Sequence, residues 1–186
     1  MAGAAAKPRT LKARALQWLA QREHSRVELR RKLLRSLEAD AARALRTAGT
    51  GDAFASAPTP APVDEDDLGA RVDETLDWLQ SHGYLSEQRF VESRVHARAA
   101  RYGNLRIRGE LQQHRLALSD EQARGLQASE TARAGDVLAR RFAAPPRDAA
   151  DRARQIRFLM GRGFSQDAVR AALRKRPSPS DDDAPD

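Results

Sequence analysis

Apolar residues return along this chain at helical spacing, in short runs separated by serine-led joints. Leu11, Ala15, Trp18 and Leu19 stand at i, i+4, i+7 and i+8 and so share one helix face. After Ser25 a second stripe follows at Leu29, Leu33, Leu34 and Leu37. Leu68, Val72, Leu76 and Leu79 mark a third helix that stops near Gly83. Ser86 opens a fourth with Phe90, Val91 and Val95, ended by Tyr102-Gly103-Asn104. A fifth runs from about Leu105 to His114, with Ile107 and Leu111 inward, and Ser119 opens a sixth. The stretch 131–142 is helical as well, and Ala143-Ala-Pro-Pro146 breaks it. Arg152 to Met160 forms the next helix, and Ser165 opens the last, with Val169, Ala172 and Leu173.

The joints share a grammar. With each serine as N-cap, the preceding residues are His24, Leu85, Leu118 and Phe164, and those four positions after the cap are Leu29, Phe90, Ala123 and Val169. Leu85 with Phe90, and Phe164 with Val169, make hydrophobic staples; His24 and Ala123 fit less well. Ser25 with Glu28 and Ser119 with Gln122 have the spacing of capping boxes. Short helical units bury no face alone, so neighbours must stack. The pattern predicts an all-α fold, an elongated curved array of helical repeats.

Composition agrees with thin helical layers rather than one deep core: 40% of residues are hydrophobic and 32% charged. The scarce aromatics, Trp18, Trp78, Tyr84, Phe90, Tyr102, Phe142, Phe158 and Phe164, are expected to anchor packing. Residues 47–63 are Gly- and Pro-punctuated and read as a flexible linker. The acids Asp64, Glu65, Asp66 and Asp67 suit the amide end of the third helix. Pro177 onward, with Asp181-Asp182-Asp183, reads as a disordered tail. The expected division is 1–46 for the first two helices of repeat one, 47–63 for the linker, and 64–85 for the helix that completes it. Residues 86–143 form the second repeat, 144–176 a shortened or closing third, and 177–186 the tail.

The absence of cysteine excludes disulfides and thiolate metal sites and is compatible with a cytoplasmic protein. No apolar run is long enough to span a membrane. Met1 to Arg22 is basic and free of acids but lacks serine and a cleavage-type break, so no targeting segment is expected. No heptad run is left over, which favours a monomer.

The chain carries no set of acid–base or nucleophilic residues, and the serines sit where caps belong, so an enzyme is not expected. His24, His82, His96 and His114 are scattered, and Glu110 with His114 offers two metal ligands at most. Gly161-Arg-Gly163 lacks the third glycine and the strand of a nucleotide fingerprint. No cofactor, metal or catalytic residue is expected.

Charge is the positive signal. The net charge is +7. Residues 1–50 hold 12 basic and 4 acidic groups, residues 51–75 only 1 basic and 7 acidic. Arg94, Arg98 and Arg101 share a face of the fourth helix, and Arg106 and Arg108 follow the Gly103 turn, so five guanidinium groups are expected around one corner. Such a corner suits phosphates or acidic side chains. Secondary candidates are Arg26, Arg30 and Arg31, beside Arg22, and Arg152, Arg154 and Arg157. A solvated charged surface is the plain alternative for each.

Four stretches together resemble the RecX family. They are Leu19-Ala-Gln-Arg-Glu-His-Ser-Arg-Val-Glu-Leu-Arg-Arg-Lys-Leu33, Leu79-Gln-Ser-His-Gly-Tyr-Leu-Ser-Glu-Gln-Arg-Phe-Val-Glu92, Arg106-Ile-Arg-Gly-Glu-Leu-Gln-Gln-His114 and Phe158-Leu-Met-Gly-Arg-Gly-Phe-Ser165. Each alone is weak; their order and number make the likeness specific. The resemblance implies three tandem three-helix repeats in a curved rod. It implies a regulator, chiefly an inhibitor, of the recombinase RecA. Such a protein binds in the groove of RecA filaments on single-stranded DNA and suppresses strand exchange and ATP hydrolysis. The five corner arginines are then candidates for contact with the filament. The chain departs from the family pattern at 47–63, which reads as an insertion, at Asn104, where many members have proline, and at Leu116-Ala-Leu118, a longer joint. Two other readings stay open: an autonomous nucleic-acid-binding helical-repeat protein, and a scaffold for a different protein.

Overall fold

The computed structural model describes residues 10–48 and 65–175. The segment 49–63, the acid Asp64 and the tail from 177 lie outside the described residues. Among the described residues there are eight helices and no strand. They are α1 (Leu11–Leu19), α2 (Arg26–Ala48), α3 (Glu65–Ser81), α4 (Glu87–Ala99), α5 (Asn104–Gln112), α6 (Asp120–Arg141), α7 (Ala149–Gly161) and α8 (Gln166–Arg174). The two helical stretches expected from Ser119 and over 131–142 are one helix, α6. No proline or stop signal interrupts Ala128 to Ala134, so propagation continues through both stretches. Helix α2 runs two residues into the stretch read as linker.

The serine caps form as the sequence requires. Ser25 Oγ accepts the Glu28 amide at 3.1 Å, and Ser165 Oγ accepts that of Ala168 at 3.3 Å. At Ser119 both halves of the capping box are present, 3.2 Å from the Gln122 amide and 2.9 Å back from Gln122 Oε1. At the Ser25 joint the Glu28 carboxylate pairs with Arg22 and lies 3.2 Å from His24 Nδ1.

Three helix ends repeat one closing turn. The Tyr84, Leu116 and Phe164 amides donate to the Leu79, Leu111 and Leu159 carbonyls at 2.9, 3.1 and 3.2 Å. Each turn passes through a left-handed residue: Gly83, Arg115 and Gly163, with φ of 74°, 59° and 80°. This is the Schellman closure, which satisfies orphan carbonyls at the helix end.

The chain divides into two compact units, residues 1–90 and 91–186. In the first, α1, α2 and α3 pack on one another. Ala15, Leu29, Leu33, Val72, Leu76, Leu79 and Leu85 form its core, edged by Trp18 and Trp78. Each buried leucine here contributes on the order of 2 kcal/mol. In the second unit α6 packs on α5, α7 and α8. Ala134, Val137, Leu138, Leu159, Phe164, Val169, Ala172 and Leu173 form one cluster there, which brings the Phe164–Val169 staple together. Phe90 and Phe164 are fully buried anchors, but Tyr84 is not: it stacks 5.7 Å from Trp78 and stays 48% exposed.

Candidate functional site: an arginine groove and its buried support

Helices α4 and α5 meet at a short turn, and their facing sides leave an open groove of about 480 Å³. Arg94, Arg98, Arg106, Glu110, Gln113 and His114 line it. Arg94 and Arg98 are one turn apart on α4; Arg106 and Glu110 are one turn apart on α5. Ile107 and Leu111 are buried on the other side of α5, which turns Arg106 and Glu110 outward. Glu110 sits between two guanidinium groups, 2.9 Å from Arg98 Nε and 3.5 Å from Arg106 Nε.

Three of the five corner arginines, Arg94, Arg98 and Arg106, are thus brought together. Arg101 is exposed near the end of α4, and Arg108 is exposed on α5; neither lines this groove. Arg162 joins instead. Its guanidinium carbon is 5.8 Å from the Tyr102 ring centroid, with those of Arg98 and Arg106 at 5.5 and 4.5 Å. An aromatic ring therefore does interleave with the arginines. Arg162 was visible in the sequence only as the residue between two joint glycines; the parallel with Tyr102-Gly103 is the signal that would have found it.

The reason Arg162 arrives here is a backbone contact. The Gly103 amide donates to the Arg162 carbonyl and the Leu105 amide to that of Gly163, both at 3.0 Å. Beneath this contact lies Glu130, fully buried on α6. Its Oε1 accepts the amides of Asn104 at 2.8 Å and Ser165 at 3.2 Å; its Oε2 accepts the Ser165 hydroxyl at 2.7 Å. One carboxylate so serves the starts of both α5 and α8, where helix dipoles favour negative charge. One turn on, Arg133 donates to the Ala99, Tyr102 and Leu126 carbonyls at 3.1, 2.9 and 3.0 Å and to Asn104 Oδ1 at 2.6 Å. Burial lowers its pKa, against the charge of Glu130. Nothing in local spacing revealed either residue.

The secondary candidates have structural employment in part. Arg26 meets Asp77 at 2.6 Å, and Arg30 meets Asp73 at 2.9 and 3.0 Å, tying α2 to α3. Arg31 is exposed on α2. Arg154 pairs with Asp151 at 2.8 Å, while Arg152 and Arg157 are exposed on α7. A second groove of about 580 Å³ lies between α4 and α6, floored by Val95 and Ala99 and bordered by Arg133 and Arg140. Arg140 caps the Ala100 carbonyl at 2.6 Å.

Among the described residues no group of three or more His, Cys, Asp or Glu side chains has the arrangement of a metal site. No helix there is long and apolar enough to cross a membrane.

Comparison with known proteins gives consistent matches. A family model described as the RecX third three-helix domain matches residues 128–173. That match begins inside α6, upstream of the boundary at 144 expected from the Pro145-Pro146 break. It takes in the whole Phe164 cluster and Glu130. The chain is also similar to proteins named Regulatory protein RecX. The one from Ralstonia nicotianae is 46% identical over 88% of this chain and 86% of its own. That from Herbaspirillum seropedicae is 44% identical, over 89% and 90%. That from Leptothrix cholodnii is 43% identical, over 89% and 88%.

Proposed function

The chain belongs to the RecX family of regulatory proteins, and from that premise we propose that it regulates a RecA recombinase, chiefly as an inhibitor. In this reading it binds in the groove of RecA filaments on single-stranded DNA and suppresses strand exchange and ATP hydrolysis. The observation that carries it is the 46% identity to a named regulatory protein over 88% of the chain. RecA is the partner that family membership implies.

The physical support is threefold. Helical repeats present regularly spaced faces, which suit a filament made of regularly spaced subunits. Modest contacts at several faces add up to avidity without one tight site. The Arg94, Arg98 and Arg106 groove, with Arg101 just past the end of α4 and Arg108 on α5, offers charge-assisted hydrogen bonds to acidic side chains or phosphates. We place the join between second and third repeats within α6, where the family match begins. The protein would act as a cytoplasmic monomer, without a cofactor and without catalysis of its own.

The test is RecA-driven ATP hydrolysis on single-stranded DNA, with this protein titrated in and its binding to bare DNA measured in the same buffer. Inhibition at concentrations too low to coat the DNA is expected. No effect from a folded sample on the recombinase of the same source would refute the assignment. The net charge of +7 favours one second reading, an autonomous nucleic-acid-binding protein. That reading requires inhibition only where the DNA itself is saturated, with steep salt dependence.

A further inference from the structure

The contact at Gly103 and Gly163 carries more than arginines. Among the described residues four large hydrophobic side chains stand exposed, and two of them flank this contact: Leu105 at 57% and Met160 at 43%. The Leu105 amide donates to the Gly163 carbonyl at 3.0 Å, and the Gly163 amide to the Met160 carbonyl at 2.9 Å, so both lie within a turn of it. Tyr102 stands at the same contact with Arg98, Arg106 and Arg162 near its ring. Arg162 also lies 4.7 Å from the Phe158 centroid.

Two features separate this face from one that tracks phosphates. Nucleic-acid interfaces are much more positively charged than protein interfaces, whereas here Glu110 pairs with both Arg98 and Arg106. Exposed leucine and methionine gain little from a phosphate chain and much from an apolar partner. Arginine, tyrosine and methionine around an apolar centre are the composition of protein–protein contact surfaces. A guanidinium held against a ring also keeps its in-plane donors for a carboxylate.

We infer that the surface around Tyr102, formed by Arg98, Arg106, Arg162, Leu105 and Met160, docks an acidic protein segment that carries an apolar side chain. The carboxylates meet the guanidinium groups, and the apolar residue covers Leu105 and Met160. This rests on the proposed function, in which the partner is the filament. It names the filament's protein, not its DNA, as what this face touches.

The variant that tests it is Leu105→Ser with Met160→Ser in the full chain. Both side chains are exposed and the net charge is unchanged, so helicity and affinity for bare single-stranded DNA should stay as they are. Half-inhibition of RecA ATP hydrolysis should need about tenfold more protein, the loss expected when an apolar anchor is removed. A photo-cross-linking phenylalanine analogue at Leu105, with purified RecA and labelled single-stranded DNA, should give an adduct with RecA. An adduct with the DNA, or a parallel fall in bare-DNA affinity, overturns the inference in favour of a phosphate surface. Unchanged inhibition by the double variant also overturns it, while the wild-type protein still inhibits and the proposed function stands. Failure of the wild-type protein to inhibit would remove both.

Discussion

The amide of Gly103 donates to the carbonyl of Arg162 at 3.0 Å, joining the α4–α5 turn to the α7–α8 turn backbone to backbone. No side chain fits between them. A Cβ built on Gly103 would lie 2.2 Å from the Gly163 oxygen and from the Phe164 nitrogen and Cα. Backbone cannot yield as a flexible side chain can. Gly103→Ala should therefore cost about 2–3 kcal/mol of stability in the second unit, read as a lower denaturant midpoint. An unchanged midpoint would mean that the two turns are not held in contact in solution.

Glu130 holds the same contact from below. Its carboxylate accepts three hydrogen bonds, from the Asn104 and Ser165 amides and the Ser165 hydroxyl. The Asn104 amide hydrogen at the start of α5 needs an acceptor, and Glu130 supplies it. Truncation by Glu130→Ala leaves buried donors unpaired and Arg133 without its neighbouring negative charge. The expected loss is about 3 kcal/mol or more. Glu130→Gln keeps one acceptor oxygen and should cost less. Equal losses from the two substitutions would show that the negative charge and second acceptor oxygen, which both variants remove, are what Glu130 provides, and not the packing volume, which glutamine keeps.

The core was legible in the sequence because Leu29, Leu33, Leu76 and Leu79 obey a local period, and local periods survive without knowledge of the partner helix. The serine caps were legible for the same reason. Glu130 and Arg133 were not, because their partners around Ala99 to Asn104 and at Ser165 are distant in sequence and no spacing rule links them. Arg26 and Arg30, candidates for a contact surface, also pair with Asp77 and Asp73 on α3, which no local spacing shows. Arg162 was missed because it joins the site only through the Gly103 contact. Helix α6 takes in both the stretch that Ser119 opens and 131–142, because the residues between them supply no stop signal.

Arg115 occupies a left-handed turn position, φ 59°, that Gly83 and Gly163 occupy at the equivalent turns. A side chain there crowds the following carbonyl, at a cost of roughly 1–2 kcal/mol. Glycine removes that strain but has more freedom to lose on folding. Arg115→Gly should stabilise the protein by roughly 0.5–1 kcal/mol in net, seen as a small rise in Tm. A fall in Tm would show that the arginine side chain makes contacts worth more than the strain.

His24 is 1% exposed at the α1–α2 joint. Burial holds its imidazole below the usual 6.5, against the opposing pull of Glu28, and the charges of Arg22 and Lys32 add to the effect of burial. The unfolded chain therefore takes up this proton first as pH falls. The stability from neutral His24 is full above pH 6.5 and declines as pH drops from there toward the lowered folded value. Glu28 behaves differently: burial raises its carboxyl, but the Arg22 hydrogen bond and the charges of His24 and Arg22 hold it below 4.5. Its contribution is full above 4.5 and is lost as pH falls further. Denaturant midpoints measured from pH 8 to 3 should fall in two stages, and His24→Gln should flatten the first. A wild-type midpoint flat between pH 7 and 5 would contradict the buried, neutral histidine.

Arginines employed inside the fold and arginines lining the groove should separate in experiment. Arg30 forms a two-pronged pair with Asp73, and both side chains are part exposed, 44% and 39%. Such pairs are worth up to about 1 kcal/mol. Arg26→Ala with Arg30→Ala should lower stability by roughly that amount and leave inhibition of RecA unchanged. In the groove, Glu110 competes with any acidic partner for Arg98 and Arg106. Glu110→Gln should release both guanidinium groups and lower the concentration needed for half-inhibition. Charge reversal at Arg94, Arg98 and Arg106 should raise it about tenfold or more, with helicity intact. The two groove variants thus carry opposite signs on one readout, ATP hydrolysis by RecA. A common direction for both, or an effect from Arg26 and Arg30 as large as from the groove, would move the contact surface away from α4 and α5.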